Sequence, residues 1–297
     1  SKAALEALHG VSEYRASFDN DNRIPNHGFE DLSPAIKLLK IENSVLEINS
    51  FRNIAAATET VNTLLKFLKK FKNYYPTVNQ FSSHLEVNNE IKKEVDGVID
   101  RFGEVRDNAS EQLYALRKQI QFLKGKIAQS FNKALSHYNN LDYLNDIRES
   151  VVENKRVLAV KSMYRRKVKG GIMGSSKTGS IVFIEPEATL QYSRELQNLL
   201  FEETEEVKRI LSELSDFLRP MRDQIKAYQS YLLLLDTLYA RARHAAVIDA
   251  LLPILSHQQE LEFKNAFHPL LLRANQLENK KTFPHDIQLS PKSRMVE

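Results

Sequence analysis

Ten apolar residues, Val105, Ala109, Leu113, Leu116, Ile120, Leu123, Ile127, Phe131, Leu135 and Tyr138, recur at steps of three or four across 33 positions. No other feature narrows the fold as much. A stripe with a mean step of roughly 3.7 lies along one face of an α-helix, and at about 1.5 Å per residue that helix is about 50 Å long. A compact small domain does not need such a helix, so it is expected to carry something at its end. A second stripe, Ala188, Tyr192, Leu196, Leu199, Leu200, Val207, Ile210, Leu211, Leu214 and Phe217, follows Pro186 and runs to Pro220. A third, from Met221 to about Leu252, carries Ile225, Tyr228, Leu232, Leu235, Leu238 and Tyr239 and stops at Pro253. Nine Gly and nine Pro in 297 residues is a low count, which favours long helices over a loop-rich β protein.

Between the first two stripes lies the only stretch that reads clearly as β. Arg156–Ser162 is a short apolar run, and Val168–Met173 is a weaker one entered at Lys167. Ser180–Glu185 is β-branched and aromatic, bounded by Gly179 and Pro186. The sequence GSSKTG between the last two runs suits a hairpin loop. Charge is one-sided here. From Asn154 to Ile184 the chain holds Lys155, Arg156, Lys161, Arg165, Arg166, Lys167, Lys169 and Lys177, and no Asp or Glu. The whole chain carries +4, so this island of +8 leaves about −4 for the remainder. A basic β head on an acidic, helical remainder fits a local contact with a polyanion. The plain alternative is a solvated basic hairpin.

Upstream, Leu5, Leu8, Val11, Tyr14 and Phe18 predict a helix over 1–18, followed by a polar loop at Asp19–Gly28. Ser33 and Pro34 read as N-cap and first helical residue. The apolar pattern from Leu38 to Phe71 predicts one long or kinked helix ending before Pro76. Ile91, Val95 and Val98 predict another, and Asp100–Glu104 a tight turn. Residues 261–297 shift to short apolar runs and Pro, as if something different begins there.

Several chemistries lack their residues. There is no cysteine, so thiolate metal sites and disulfides are excluded, in keeping with a cytoplasmic setting. No apolar run approaches the length of a membrane span. GIMGSSKTG imitates a phosphate-binding loop, with Gly171, Lys177 and Thr178 in place, but Ser176 stands where the second Gly is required. A strand pattern follows it, where that loop needs a helix. Glu202, Glu203, Glu205 and Glu206 read as a solvated helix face rather than a metal or catalytic site. His268, before Pro269, has no partner visible in sequence. No catalytic residues, metal ligands or cofactor-binding residues are identified, and the chain by itself is not expected to be an enzyme.

The run from Val157 to Leu211 resembles the MutS family in its second bacterial branch, MutS type two. The carrying residues are Ala159-Val160-Lys161, Gly171-Ile172, Ser176-Lys177-Thr178-Gly179, Phe183-Ile184-Glu185-Pro186 and the Glu-rich helix after them. Gly103–Ile120, with Asp107-Asn108-Ala109-Ser110, resembles that branch's segment ahead of a long helix. Ala266-Phe267-His268-Pro269-Leu270-Leu271 resembles the opening of its ATPase domain. The chain departs from the branch at Met173-Gly174-Ser175, at Tyr192-Ser193 and at Phe267.

The resemblance implies a mainly α fold, a helical core whose long antiparallel lever helices carry a small inserted antiparallel β clamp. The implied segments are core 1–104, ascending lever 105–140, clamp 141–187, descending lever 188–219, core 220–262 and the truncated start of an ATPase domain at 263–297. It implies duplex or branched DNA as partner, a homodimer in the full-length protein, and a role in DNA repair, mismatch repair or recombination control. ATP and Mg would serve the parent protein beyond Glu297, with His268 near the missing nucleotide site. The chain starts Ser-Lys without an initiator Met and is expected to be a fragment. Two alternatives remain: a clamp on the structured RNA of stalled ribosomes, and a structural dimerisation module.

Overall fold

The computed structural model describes residues 2–256 and 259–291. Residues 1, 257, 258 and 292–297, which fall in the expected segments 1–104, 220–262 and 263–297, lie outside the described residues. The order is α1 (Lys2–Ala16), α2 (Ser33–Leu39), α3 (Ile48–Lys70), α4 (Pro76–Phe81), α5 (Glu90–Val98), α6 (Glu111–Asn140), β1 (Leu144–Val152), β2 (Lys155–Lys161), β3 (Gly170–Ser175), β4 (Ile181–Pro186), α7 (Glu187–Leu218), α8 (Arg222–Val247), β5 (Leu261–Ala266), α9 (Pro269–Leu277) and β6 (His285–Leu289). The described residues are mainly helical, with two small antiparallel sheets. No helix among the described residues is long and apolar enough to cross a membrane.

The chain divides into two compact units. The first comprises residues 1–37, 53–92 and 220–297. There α1 packs against α4 and α8, around the buried Tyr14, Leu32, Tyr75, Tyr228 and Leu232. Pro76, expected just past a helix end, instead opens α4 at a position that needs no N–H. The Glu13 carboxylate accepts from the N–H groups of Thr77 and Val78, both at 2.9 Å, and satisfies that helix start. From Leu251 to the end of β6 no described residue is buried. Ile254 is 98% exposed and Leu277 81%.

The second unit comprises residues 38–52 and 93–219. The helix expected from Leu38 to Phe71, long or kinked, is instead two helices separated between Leu39 and Ile48. Asn43 takes a left-handed φ of 58°, and the Ser44 hydroxyl donates to the carbonyls of Leu38 and Ile41 that the helix releases. Asn and Ser compete with helical backbone bonding in this way, so Glu-Asn-Ser outweighed the apolar stripe. The Asp100–Glu104 turn forms as expected. One Asp100 carboxylate oxygen accepts from the N–H of Phe102 at 2.8 Å and of Glu104 at 2.9 Å, and Gly103 supplies a φ of 87°.

Helix α6 starts at Glu111, because Val105 lies in an isolated bridge with Ile99 and Ala109 in a short 3-10 turn. At 30 residues it is about 45 Å long. Helix α7 returns antiparallel along it. Val105, Leu113 and Ile210 are buried between them, flanked by Ala109, Val207 and Leu211.

Between the facing ends of α6 and α7 sits a four-stranded antiparallel sheet of order β1-β2-β4-β3. Its first strand, LNDIRESVV, was not anticipated. It is polar, only Leu144 is buried, and its register to β2 slips between Leu144 and Glu149. It therefore lacks the alternation that marks a half-buried strand. Glu153 and Asn154, both at positive φ, make the two-residue turn into β2. Residues 157–160 of β2 are all buried, with Leu158 and Val160 meeting Phe131 of α6, Leu144, Val168, Val182 and Ile184 in one core. The last turns of the long helix thus pack directly on the sheet.

Candidate nucleic-acid interface

Strands β2 and β3 both pair antiparallel with β4, which lies between them. They are therefore parallel to each other, and the connection 162–169 must cross over β4 to join them. Val168 anchors that crossing in the Phe131 core. Its start is pinned by the Ser162 N–H donating to the Ser180 carbonyl at 2.9 Å, beside the β3–β4 hairpin loop. In that loop the Gly179 N–H donates to the Ser176 carbonyl at 2.9 Å, with Gly179 at a φ of 70°. GSSKTG is thus a hairpin loop followed by a strand, the geometry that argued against a phosphate-binding loop.

The eight cations singled out in sequence fall into two groups. Three are engaged by acids that lie just outside the 154–184 window. Lys155 Nζ lies 3.0 Å from Glu185 Oε2, and Glu185 is 2% exposed. Arg156 donates from Nε to Glu149 Oε2 at 3.0 Å and from Nη1 to Asn132 at 3.1 Å, and its guanidinium lies 4.3 Å from the Phe131 ring centroid. Lys161 Nζ lies 2.8 Å from an Asp142 carboxylate oxygen, and that hydrogen bond holds the ammonium above its ordinary pKa. These three brace the sheet. Residues 141–187 as a whole hold nine Lys and Arg against six Asp and Glu, so the +8 of the sequence window included none of its own counter-charges.

The other five have exposed side chains. Arg165, Arg166, Lys167 and Lys169 lie on the crossing connection, and Lys177 on the hairpin loop. Among the described residues none of the five has an acid partner. Arg165 and Arg166 follow closely on Ser162, at the end of the sheet that carries Lys177. Lys169 lies towards the start of α7, where its carbonyl accepts from the Glu187 N–H at 3.0 Å. Lys167 Nζ lies 5.7 and 5.6 Å from the ring centroids of Tyr143 and Tyr164. Those rings stack at 4.6 Å and 20°, and Tyr138 continues the series at 6.4 Å and 25°. Sequence reasoning missed this ladder, because Tyr138 was absorbed in the α6 stripe and Tyr143 lies past the helix end. The available signal was the interleaving of Met163 and Tyr164 with cations.

Of the four α7 carboxylates expected on a solvated face, Glu202 and Glu205 are exposed, Glu203 is half-buried and Glu206 is buried. Glu206 is 4% exposed. It accepts from Arg209 Nη2 at 2.7 Å and Nε at 2.8 Å, and from the Ser110 hydroxyl at 2.6 Å. These donors, Arg209 first, hold its carboxyl down at about 2. Glu203 pairs with Arg117 Nε at 2.7 Å. The sequence pattern gave no sign that Glu203 and Glu206 fasten α7 to the start of α6. Among the described residues no group of three His, Asp or Glu side chains is placed to hold a metal ion. His268 is exposed, and its Nδ1 accepts from the Leu271 N–H at 3.3 Å, capping α9.

Fold and surface together define a helical protein bearing a small antiparallel sheet with unpaired cations on its crossing connection and hairpin tip. No family model matches the chain. Curated relatives do. The chain is 30% identical over 270 residues to the protein named Endonuclease MutS2 of Lactobacillus helveticus, covering 90% of this chain and 33% of that protein. It is 28% identical over 264 residues to Endonuclease MutS2 of Alkaliphilus oremlandii, covering 88% and 33%. With the Putative endonuclease MutS2 of Bacillus subtilis it shares 27% identity over 250 residues, covering 83% and 32%. The chain is thus similar, over most of its own length, to proteins named MutS2. The chain spans about a third of the length of the curated relatives it matches.

Proposed function

We propose that this chain is the nucleic-acid-gripping portion of a MutS-like DNA repair or recombination-control ATPase. In this reading α6 and α7 are levers, the four-stranded sheet is a clamp, and Arg165, Arg166, Lys167, Lys169 and Lys177 contact DNA phosphates without reading base identity. The observation that carries it is the sorting of the eight cations. The three needed to hold the sheet are paired with acids, and the remaining five are left exposed on one connection and one loop. Unpaired cations on a rigid support are what phosphate contact requires.

The relatives' names, which call them endonucleases, support a nucleic acid as the ligand. The uncovered apolar side chains between Leu251 and Leu289 support reading that segment as the opening of a further domain. In that arrangement ATP and Mg are bound outside this chain, and a homodimer brings two clamps together.

The test is binding of duplex DNA, a four-way junction and a single strand at low salt, by the chain and by a variant with the five exposed cations changed to Glu. Retained binding by the chain and its loss in the variant supports the grip. Unchanged binding in the variant refutes it. Competition of ribosomes with DNA for the full-length parent then separates the DNA reading from grip on structured RNA.

A further inference from the structure

The connection 162–169 carries more than charge. Met163 is 77% exposed, more than any other large apolar side chain in residues 141–187, and it sits between two flanks that a phosphate contact does not explain. On one side is the start of the connection, fixed to the hairpin loop at Ser162. On the other is Tyr164, stacked on Tyr143 at 4.6 Å and 20°. Tyr138, Tyr143 and Tyr164 all pack against the Phe131 core, so the ladder is held before any ligand arrives, which lowers the ordering cost of binding. The Tyr138 hydroxyl is itself fixed, accepting from the Lys169 N–H at 3.2 Å. Among the described residues Tyr143 is the only ring stacked on Tyr164, which leaves the second face of Tyr164 without one.

A half-buried aromatic ring beside an exposed thioether, followed at once by Arg165, Arg166 and Lys167, is the combination that single strands require. Bases stack on the ring while the cations track the phosphates, and the contact is indifferent to sequence because every base has a π-face. An intact duplex offers no such partner, since its base faces are already stacked on each other.

We propose that the connection receives an unpaired base of a DNA strand, stacked on Tyr164 beside Met163, with the adjoining phosphates on Arg165 and Arg166. This rests on the proposed grip of nucleic acid by the same surface. It goes further in naming the contact: a base freed from its stack, held on Tyr164 next to the phosphate-binding cations.

The experiment uses a DNA strand carrying the fluorescent base 2-aminopurine, presented to the intact chain alone, within a duplex, and at the branch of a junction. The expected result is a fluorescence change on binding the single strand and the branch but not the duplex interior. Tyr164→Leu should weaken single-strand binding about tenfold, equivalent to about 1.4 kcal/mol, and leave duplex binding within about twofold, while Tyr164→Phe restores it. Thermal unfolding of each variant separates loss of the ring from loss of the fold, and the Phe variant keeps the test informative if Leu destabilises the sheet. Equal affinity for strand and duplex with no fluorescence change overturns the stacking contact and leaves the phosphate grip standing. An equal loss for strand and duplex in Tyr164→Leu overturns it as well. Absence of binding to all three DNAs overturns the grip and the stacking together.

Discussion

Replacing Ser110 by Ala removes two bonds that one hydroxyl makes at once. Its oxygen accepts from the Leu113 N–H at 2.9 Å, as the N-cap of α6, and its proton is donated to Glu206 at 2.6 Å. Loss of an N-cap costs typically about 1 kcal/mol. Loss of a donor to a buried carboxylate costs a further ~1–3 kcal/mol, and Glu206, at 4% exposure, has little access to water that might replace it. The expected loss is about 2–4 kcal/mol, concentrated where α6 begins. Amide exchange at Leu113 and the following residues reads that local opening directly, and urea unfolding reads the total. A double-mutant cycle with Glu206→Ala should show coupling of about 1 kcal/mol, the share of the loss that belongs to the Ser110–Glu206 bond. A loss below about 0.5 kcal/mol, or strict additivity of the two substitutions, would refute the view that this hydroxyl ties the cap of one long helix to the acid of the other.

Acid should act on the same junction. The Glu206 carboxyl is lowered from 4.5 to about 2, so its contribution is complete above pH 4.5 and is lost as pH falls from there towards 2; a urea midpoint that drops over this window in the native chain and less in Glu206→Gln is the expected outcome. Lys155→Met should destabilise the sheet by on the order of 3 kcal/mol because it strands the buried Glu185 carboxylate, whereas Arg165→Glu should stay within about 0.5 kcal/mol, both read by thermal unfolding. Phe131→Ala should cost about 3–5 kcal/mol and loosen α6 from the sheet together with Arg156, checked by near-ultraviolet circular dichroism. Gly170→Ala should disrupt the pairing of β3 with β4, since a Cβ there would lie 2.1 Å from the Glu185 carbonyl oxygen; unchanged exchange protection across β4 would contradict this.

The helices were legible where a stripe and a stop signal agreed. The spacing from Leu113 to Tyr138 needed only the 3.6-residue period, and Pro186 and Pro220 bracketed α7. Legibility failed where a local polar group overrode the stripe, as Ser44 did by taking the carbonyls of Leu38 and Ile41. Strand β1 was hidden because an edge strand with one buried residue has no alternation to read. The candidate site was half legible. Charge counting found all eight cations but could not tell that Asp142, Glu149 and Glu185 neutralise three of them, because register and not sequence distance decides which acid meets which base. The tyrosine ladder was hidden for a related reason: Tyr143 lies past the end of α6, and it meets Tyr164 because the Lys161 N–H at the end of β2 donates to the Tyr143 carbonyl.

The central claim is that the exposed cations of the crossing connection and hairpin hold DNA by its phosphates. The most direct measurement is the slope of log affinity against log salt for a duplex, taken with the native chain and with Arg165, Arg166 and Lys167 changed to Ala. Each phosphate contact contributes about 0.9 to that slope, so the account predicts a steep dependence that becomes shallower by roughly 2–3 in the triple variant. A slope that is the same in both proteins would contradict it.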